Sequence, residues 1–346
     1  MNLSDLSVKP DTDPTSIYRC RDSLYAADLL TVALVELDFF TWLNRNPADL
    51  PAICRSLQIK ERPADVMFTL FVAMGLLKTD RGLFSLTQLA REHLVKDSPW
   101  FIGPYYASLK DRPVVKDLLG VLRTDKPANW GSLKSEKEWA KAMEDDDFAN
   151  QFTAAMDCRG VFLGRAVAEA LELHAHKNLL DIAGGSGIYA CSIVADHPHL
   201  KATVLEKPPV DHVARNAIAK RGFADRVSVR AGDMFVEPLP CGFDVHLISN
   251  VIHDWDVPVV KQLLAKSFKA LEAGGLLVVH DAHLNADKSG PLHVAEYSVL
   301  LMHSTEGRCY SVVEMEEYLR EVGFTDFQFT PAAASRSIVT AKKPPS

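Results

Sequence analysis

The run NLLDIAGGSG, residues 178–187, places a short apolar segment directly before a glycine-rich turn. An apolar run bounded in this way predicts a buried strand, and Gly187 opens a helical pattern that reaches His197. Small residues at 184, 185 and 187 let the backbone close on a ligand, and the free amides at the helix start favour an anion or a polar group. The alternation continues downstream. ATVLE (202–206) predicts a second strand, VARNAIAKRG (213–222) a second helix, VSVRAGD (227–233) a third strand and FDVHLISNVI (243–252) a fourth. VVKQLLAKSFKALEAGG (259–275) is an amphipathic helix with Gly274 just past its end, the usual place of a left-handed cap. LLVVHDAHL (276–284) follows as a fifth strand, then a late helix EMEEYLREVGF (314–324) and two closing strands, FQF (327–329) and SIVTAKK (337–343). Strands alternating with helices predict a mostly parallel, doubly wound α/β sheet over 177–346.

Upstream the texture is different. Residues 1–16 form a loose leader with Pro10 and Pro14. From Ile17 to about Asn46, apolar residues such as Tyr25, Leu29, Val32, Val35 and Phe39 recur at three- and four-residue steps and predict helix. A short helix over 52–57, an apolar helix over 64–77 and a hairpin around Gly82 complete the order of a winged helix over 17–100. In a DNA-binding reading, 64–77 would enter the major groove, yet ADVMFTLFVAMGLL has no Lys, Arg, Asn or Gln for base edges. An apolar helix must be buried, so a packing and dimerisation module is the preferred reading. Residues 101–176 are a mostly helical connector, and its acidic run Glu144–Asp147 is taken as a solvated face rather than a metal site.

Composition bounds the partners. The 346 residues are 47% hydrophobic and 24% charged with a net charge of −7, ordinary for a globular protein and unlike a nucleic-acid binder. No apolar run reaches the roughly 18 residues of a membrane helix, and the first residues lack the apolar core of a secretory signal. Six cysteines, at 20, 54, 158, 191, 241 and 309, show no CxxC spacing, which suits reduced thiols in a cytoplasmic protein.

The glycine turn supports two readings. Gly185-x-Gly187-x-x-Ala190 fits a dinucleotide fingerprint, with Glu206 available for a ribose. Three features favour S-adenosylmethionine instead: Asp181 before the glycines, placed for a methionyl ammonium; Asp233 and Met234 after the third strand, placed for an adenine; and a C-terminal hairpin that closes the sheet. With these in order, DIAGGSG, VLEKPP, GDMF, SNVIHDWDV and EVGF resemble the class I small-molecule O-methyltransferases, of the bacterial, acetylserotonin and plant caffeic-acid type. The resemblance spans about residues 17–342, and HDW is its most specific part. It implies a Rossmann-like methyltransferase sheet with a closing antiparallel hairpin and a helical, winged-helix dimerisation domain. It implies cofactor contacts at Gly184, Gly185, Glu206, Asp233, Met234 and Ser249, with S-adenosylhomocysteine as product and no metal. Ala183 stands where the family often has Gly, and Ser249 where plant members often have Lys.

Transfer to a hydroxyl needs an aligned nucleophile and a base for its proton. A phenol titrates near 10 and histidine near 6.5, so a neutral, aligned histidine in a dry pocket is a workable base. His253, at the C-terminal end of the fourth strand, is the candidate, and the resemblance places the family base there. Asp281 stands where plant members carry an orienting Glu, and Cys309 where they carry a second; Glu306 is the neighbouring carboxylate. His253, His280, Asp281, His283 and Cys309 also suggest a metal cluster, but strand alternation sends 280 to the opposite face from 281 and 283, and the set contains no HxH or CxxC pair. The acceptor pocket implied by the resemblance draws on Phe152, Met156, Asn250, Leu300 and Ser304, with Tyr105, Tyr106 and Trp139 as further aromatic candidates. An apolar clamp of this kind suits a small aromatic acceptor. The rival readings are C- or N-methylation or a nonmethylating reaction on the same scaffold, a DNA-binding regulator, and a nicotinamide dehydrogenase.

Overall fold

A computed structural model describes residue 6, residues 10–128 and residues 146–345. The chain divides into two compact units, one of Ser16–Ser135 with Leu284–Ser311, the other of Met1–Thr15, Glu136–His283 and Val312–Ser346. The helical unit therefore takes in Leu284–Ser311, a segment that lies within the sequence span of the sheet.

In the helical unit the expected helix over 17–46 is broken into Thr15–Asp22, Ala26–Thr31, a π-turn over Val32–Glu36, and Phe39–Arg45. Asp38, with φ +50, turns the chain into the last of these. Asp49 caps Leu50–Leu57 by accepting the Ala52 amide at 2.9 Å, with Pro51 in the first turn. The helix Glu61–Ala73 buries Ala64, Val66, Met67, Phe68, Leu70 and Phe71, so packing rather than a DNA groove takes its side chains. Phe39, Phe40, Phe68 and Phe71 form its aromatic centre, with ring centroids 5.1–5.9 Å apart. β1 (Leu77–Asp80) and β2 (Leu83–Leu86) make the expected antiparallel hairpin about Arg81-Gly82. The helix Leu292–Ser304 packs in the same unit; nine of its thirteen residues are buried.

The second unit is a seven-stranded sheet. Its strands are β3 (Asn178–Ile182), β4 (Lys201–Glu206), β5 (Val227–Ala231), β6 (Val245–Ser249), β7 (Leu276–Asp281), β8 (Thr325–Pro331) and β9 (Ser337–Lys342). They lie in the order β5-β4-β3-β6-β7-β9-β8, the first five parallel and the last two antiparallel. The order reverses between β3 and β6, and a crevice at such a switch point is where doubly wound sheets take ligands. The C-terminal ends of the five parallel strands carry the cofactor and catalytic candidates, while Phe152, Met156, Leu300 and Ser304 lie on helices.

The helix Asp146–Ala170 lies against Ile188–Asp196 at close range. A Cβ at Gly160 would sit 2.3 Å from Ile188 Cγ2, and one at Gly164 would sit 2.6 Å from Ser192 Oγ. Two glycines four residues apart thus give this helix pair its spacing, and Asp157, one turn earlier, accepts from Ser186 and Arg221. We expect Gly160→Val to lower stability by about 1–3 kcal/mol, since overpacking forces off-rotamer side chains. Calorimetric melting checks this, and an unchanged Tm would contradict the close approach.

Candidate active site

The turn after β3 is held in left-handed backbone at Ala183 (φ +55), Gly185 (φ +56) and Gly187 (φ +74). A Cβ at Gly184 would lie 2.5 Å from the Asp181 carboxylate, so glycine alone leaves room there. Asp181 is fully buried, and neither of its oxygens has a hydrogen-bond partner in the protein. Burial pushes its carboxyl up to about 7; the Ala190 amide, which faces it outside hydrogen-bond geometry, opposes this, and the Glu206 charge adds to it. A cation placed beside Asp181 would restore the ionised form. β4 runs parallel to β3, which sets Glu206 beside the turn: its Oε2 accepts the Gly185 amide at 3.0 Å and its Oε1 the Lys207 amide at 2.9 Å. Burial also raises the Glu206 carboxyl, against those two amides. After β5, Asp233 Oδ1 accepts from Phe235 N at 2.8 Å. Lys266 Nζ ties the same turn by donating to the carbonyls of Met234, Phe235 and Glu237 at 2.6–2.8 Å. The orphaned buried carboxylate, the side-chain-free cradle at Gly184 and the second acid at Glu206 fit the ammonium, the backbone approach and the ribose of S-adenosylmethionine.

β6 and β7 pair in register with Ser249 opposite His280, which brings the turn after β6 against the end of β7. A short 3₁₀ turn, Ile252–Asp254, carries His253, only 4% exposed. Its Nδ1 lies 2.5 Å from Asp281 Oδ1, and its amide donates to Asp281 Oδ2 at 3.3 Å. Ala282 N donates to Asp281 Oδ1 at 2.7 Å. Burial raises the Asp281 carboxyl, but the charge His253 carries whenever its ring is protonated and its hydrogen bond, then His283 and the Ala282 amide, outweigh it and hold Asp281 well below the ordinary carboxylate range. An ionised Asp281 selects the Nδ1–H tautomer of a neutral ring, which leaves Nε2 as the nitrogen that accepts a proton. Nε2 lies 3.6 Å from Asp254 Oδ1.

Beside this pair, Ser249 Oγ lies 2.8 Å from His280 Nδ1, and Asn250 Nδ2 donates to Tyr189 Oη at 2.9 Å and to Ser249 Oγ at 3.1 Å. Asn250 sits at φ +53, a conformation its side chain tolerates better than most, and Arg336 Nε donates to its Oδ1 at 3.4 Å. Tyr189, Lys266 and Arg336 were not legible as site residues. Lys266 has the periodicity of an amphipathic helix and Arg336 sits in an unpatterned turn, so neither carries a sequence signal. Met156 is half-buried on Asp146–Ala170; Phe152 shares that helix, but its side chain, like all of Trp139, lies outside the described residues. Leu300 and Ser304 are on Leu292–Ser304 and Cys309 is buried in the same unit, while Glu306 is 42% exposed, 3.8 Å from Lys126. Tyr105 is exposed. His253, Asp281 and His283 do lie together at one strand end, but His283 Nδ1 is spent on Ser337 Oγ at 2.8 Å, and the described residues hold no group of three His, Cys, Asp or Glu arranged so that it could hold a metal ion.

The O-methyltransferase domain model matches residues 117–325. A 3-hydroxy-5-methyl-1-naphthoate 3-O-methyltransferase of Streptomyces sahachiroi is 30% identical over 90% of both chains. A tetracenomycin polyketide synthesis 8-O-methyl transferase of Streptomyces glaucescens is 28% identical over 96% of this chain and 97% of its own. Among solved structures, an O-methyltransferase family 2 protein of Planctomyces limnophilus, in complex with apigenin, superposes with a TM-score of 0.88 at 31% identity, covering 99% of this chain and all of the other. The chain belongs to the O-methyltransferase family, as an S-adenosylmethionine-dependent enzyme. The dehydrogenase and regulator readings fall away with that assignment.

Two outcomes test the geometry. Ala183→Gly relieves about 1–2 kcal/mol of left-handed strain against about 0.5–1 kcal/mol of unfolded-chain entropy, so a small net gain in chemical-denaturation stability is expected; a clear loss would contradict the turn conformation. His246, His280 and His283 are buried, and burial pushes them down to about 3, 3 and 4. Below about pH 6.5 the unfolded chain binds these protons and the native chain does not, so stability falls on acidification. Asp181, pushed up to about 7, works in the other direction and offsets one of the three. His246→Gln should make the fall between pH 6.5 and 4.5 shallower by about 1.4 kcal/mol per pH unit. Urea titrations at both pH values measure it, and an unchanged slope would mean His246 is protonated in the fold.

Proposed function

We propose that the enzyme methylates a hydroxyl of a small aromatic, phenolic metabolite, with His253 as the general base and Asp281 as its orienting carboxylate. The observation that carries this reading is the 2.5 Å contact between His253 Nδ1 and a buried, ionised Asp281 at the ligand-binding end of the sheet. The cofactor supplies an electrophilic sulfonium methyl. Asp181, Gly184 and Gly185 hold its amino-acid part, Glu206 its ribose, Asp233 and Met234 its adenine, and Ser249 closes the edge. Asp281 fixes the imidazole with Nε2 outward, and Nε2 takes the hydroxyl proton as the oxygen attacks in line. Asp281 thus fills, with a shorter side chain, the part of the family Glu, while the Cys309 position supplies no carboxylate.

An aromatic acceptor is supported by the relatives, whose names and complexes specify a naphthoate, a tetracenomycin polyketide and apigenin. Phe152, Met156 and Asn250 are its proposed surroundings. We place the enzyme in the cytoplasm as a homodimer joined through its helical, winged-helix unit, on which Ile17, Leu24, Trp100 and Tyr105 are exposed. No helix among the described residues is long and apolar enough to cross a membrane.

His253→Ala should lower kcat on a phenolic acceptor by about 10²–10⁴-fold, the range general-base catalysis contributes, without weakening S-adenosylhomocysteine binding by calorimetry. Turnover that survives His253→Ala would favour C- or N-methylation and sink the hydroxyl-base reading. Glu206→Gln should weaken S-adenosylhomocysteine binding by about tenfold, and equal affinity would remove Glu206 from the ribose.

A further inference from the structure

We propose that Asp254 is the proton-exit group of the active site: it takes from His253 Nε2 the proton removed from the acceptor and hands it to solvent. This inference rests on the reading of His253 as the base.

Each turnover leaves one proton on the imidazole. The oxygen lone pair forms the new O–CH3 bond, the S–CH3 pair returns to sulfur, and the O–H proton becomes the Nε2–H of an imidazolium. The ring must lose that proton before it serves again. Protein atoms alone cover the His253 side chain to 5% exposure, so departure of the methylated product does not by itself open the ring to water. The Nδ1 end is closed. Asp281 beside it is equally buried, at 4% side-chain exposure, and is held too acidic to carry a proton away.

The Nε2 end is different. Asp254 Oδ1 stands 3.6 Å away, just beyond hydrogen-bond distance, on a side chain that is 41% exposed. One 3₁₀ turn presents both side chains, fixed by Asp254 N donating to Val251 O and Trp255 N to Ile252 O, each at 3.2 Å. A small rotation of the carboxylate closes the gap, and an imidazolium attracts it there. The proton then moves from Nε2 to the carboxylate, and from the carboxylic acid to water or buffer; His253 returns neutral and Asp254 ionised.

The test separates the first turnover from later ones. With Asp254→Asn, the first transfer should stay within about threefold of wild type while later turnovers slow by about tenfold or more, giving a burst of one product per site. Added imidazole or formate should restore the later turnovers in proportion to its concentration, which a purely structural role would not allow, and Asp254→Glu should keep most of the steady-state rate. If Asp254→Asn no longer binds S-adenosylhomocysteine by calorimetry, Asp254→Ser replaces it in the same assay. Equal slowing of first and later turnovers, or steady-state rates that no buffer restores, would overturn the proposal. His253→Ala is the control: if it retains the first turnover, the base reading fails, whatever Asp254 does.

Discussion

The contact on which the site depends is the one between Asp281 and His253. Removing a carboxylate from water is costly unless partners replace its hydration, and here a ring nitrogen and two backbone amides do so. The sheet makes this possible. Parallel pairing sets Ser249 opposite His280, so the turn four residues past Ser249 meets the residue just past His280. On the other side, antiparallel β9 pairs Asp281 with Ser337, whose hydroxyl lies 2.8 Å from His283 Nδ1. A one-residue slip of β7 would carry Asp281 to the other face of the sheet and leave a buried charge without its partner.

Three carboxylates stand at one end of the same sheet in two electrostatic states. Burial dominates at Asp181 and Glu206 and pushes both up; at Asp281 the charge and hydrogen bond of His253, then His283 and the Ala282 amide, overcome it and hold the group down. Environments that push acids apart mark a division of labour. The raised acids are poised to gain a cation or a diol from a ligand, whereas the lowered one is already satisfied by the protein and is suited to holding a base. The glycines serve the first task, since a side chain at Gly184 would fill the space beside Asp181.

Much of this was legible in the sequence. The strand-turn-helix at 178–197, the alternation behind it and the closing strands all carry period and glycine signals, and each appears within a few residues of its expected place. His253, Asp281, Glu206 and Asp181 were legible because strand ends place them and their chemistry is distinctive. The helix Leu292–Ser304 was not, because it is buried nearly all round and so has no polar face to reveal a 3.6-residue period. The break of 17–46 was hidden for the opposite reason: an apolar period persists through a π-turn and a left-handed Asp38, which no turn-forming glycine or proline announces. Lys266 and Arg336 reach the site through long side chains from segments distant in sequence, and only the fold shows where they end.

The proposed chemistry stands on the imidazole being held with its proton on Nδ1, and nuclear magnetic resonance of protein labelled with ¹⁵N in histidine reads this directly, with His253→Ala to identify the signal. The account predicts, near neutral pH, a neutral His253 ring in the Nδ1–H tautomer, with a slowly exchanging, strongly downfield proton that disappears in Asp281→Asn. A His253 ring protonated on Nε2, or one whose spectrum is indifferent to Asp281→Asn, would contradict it.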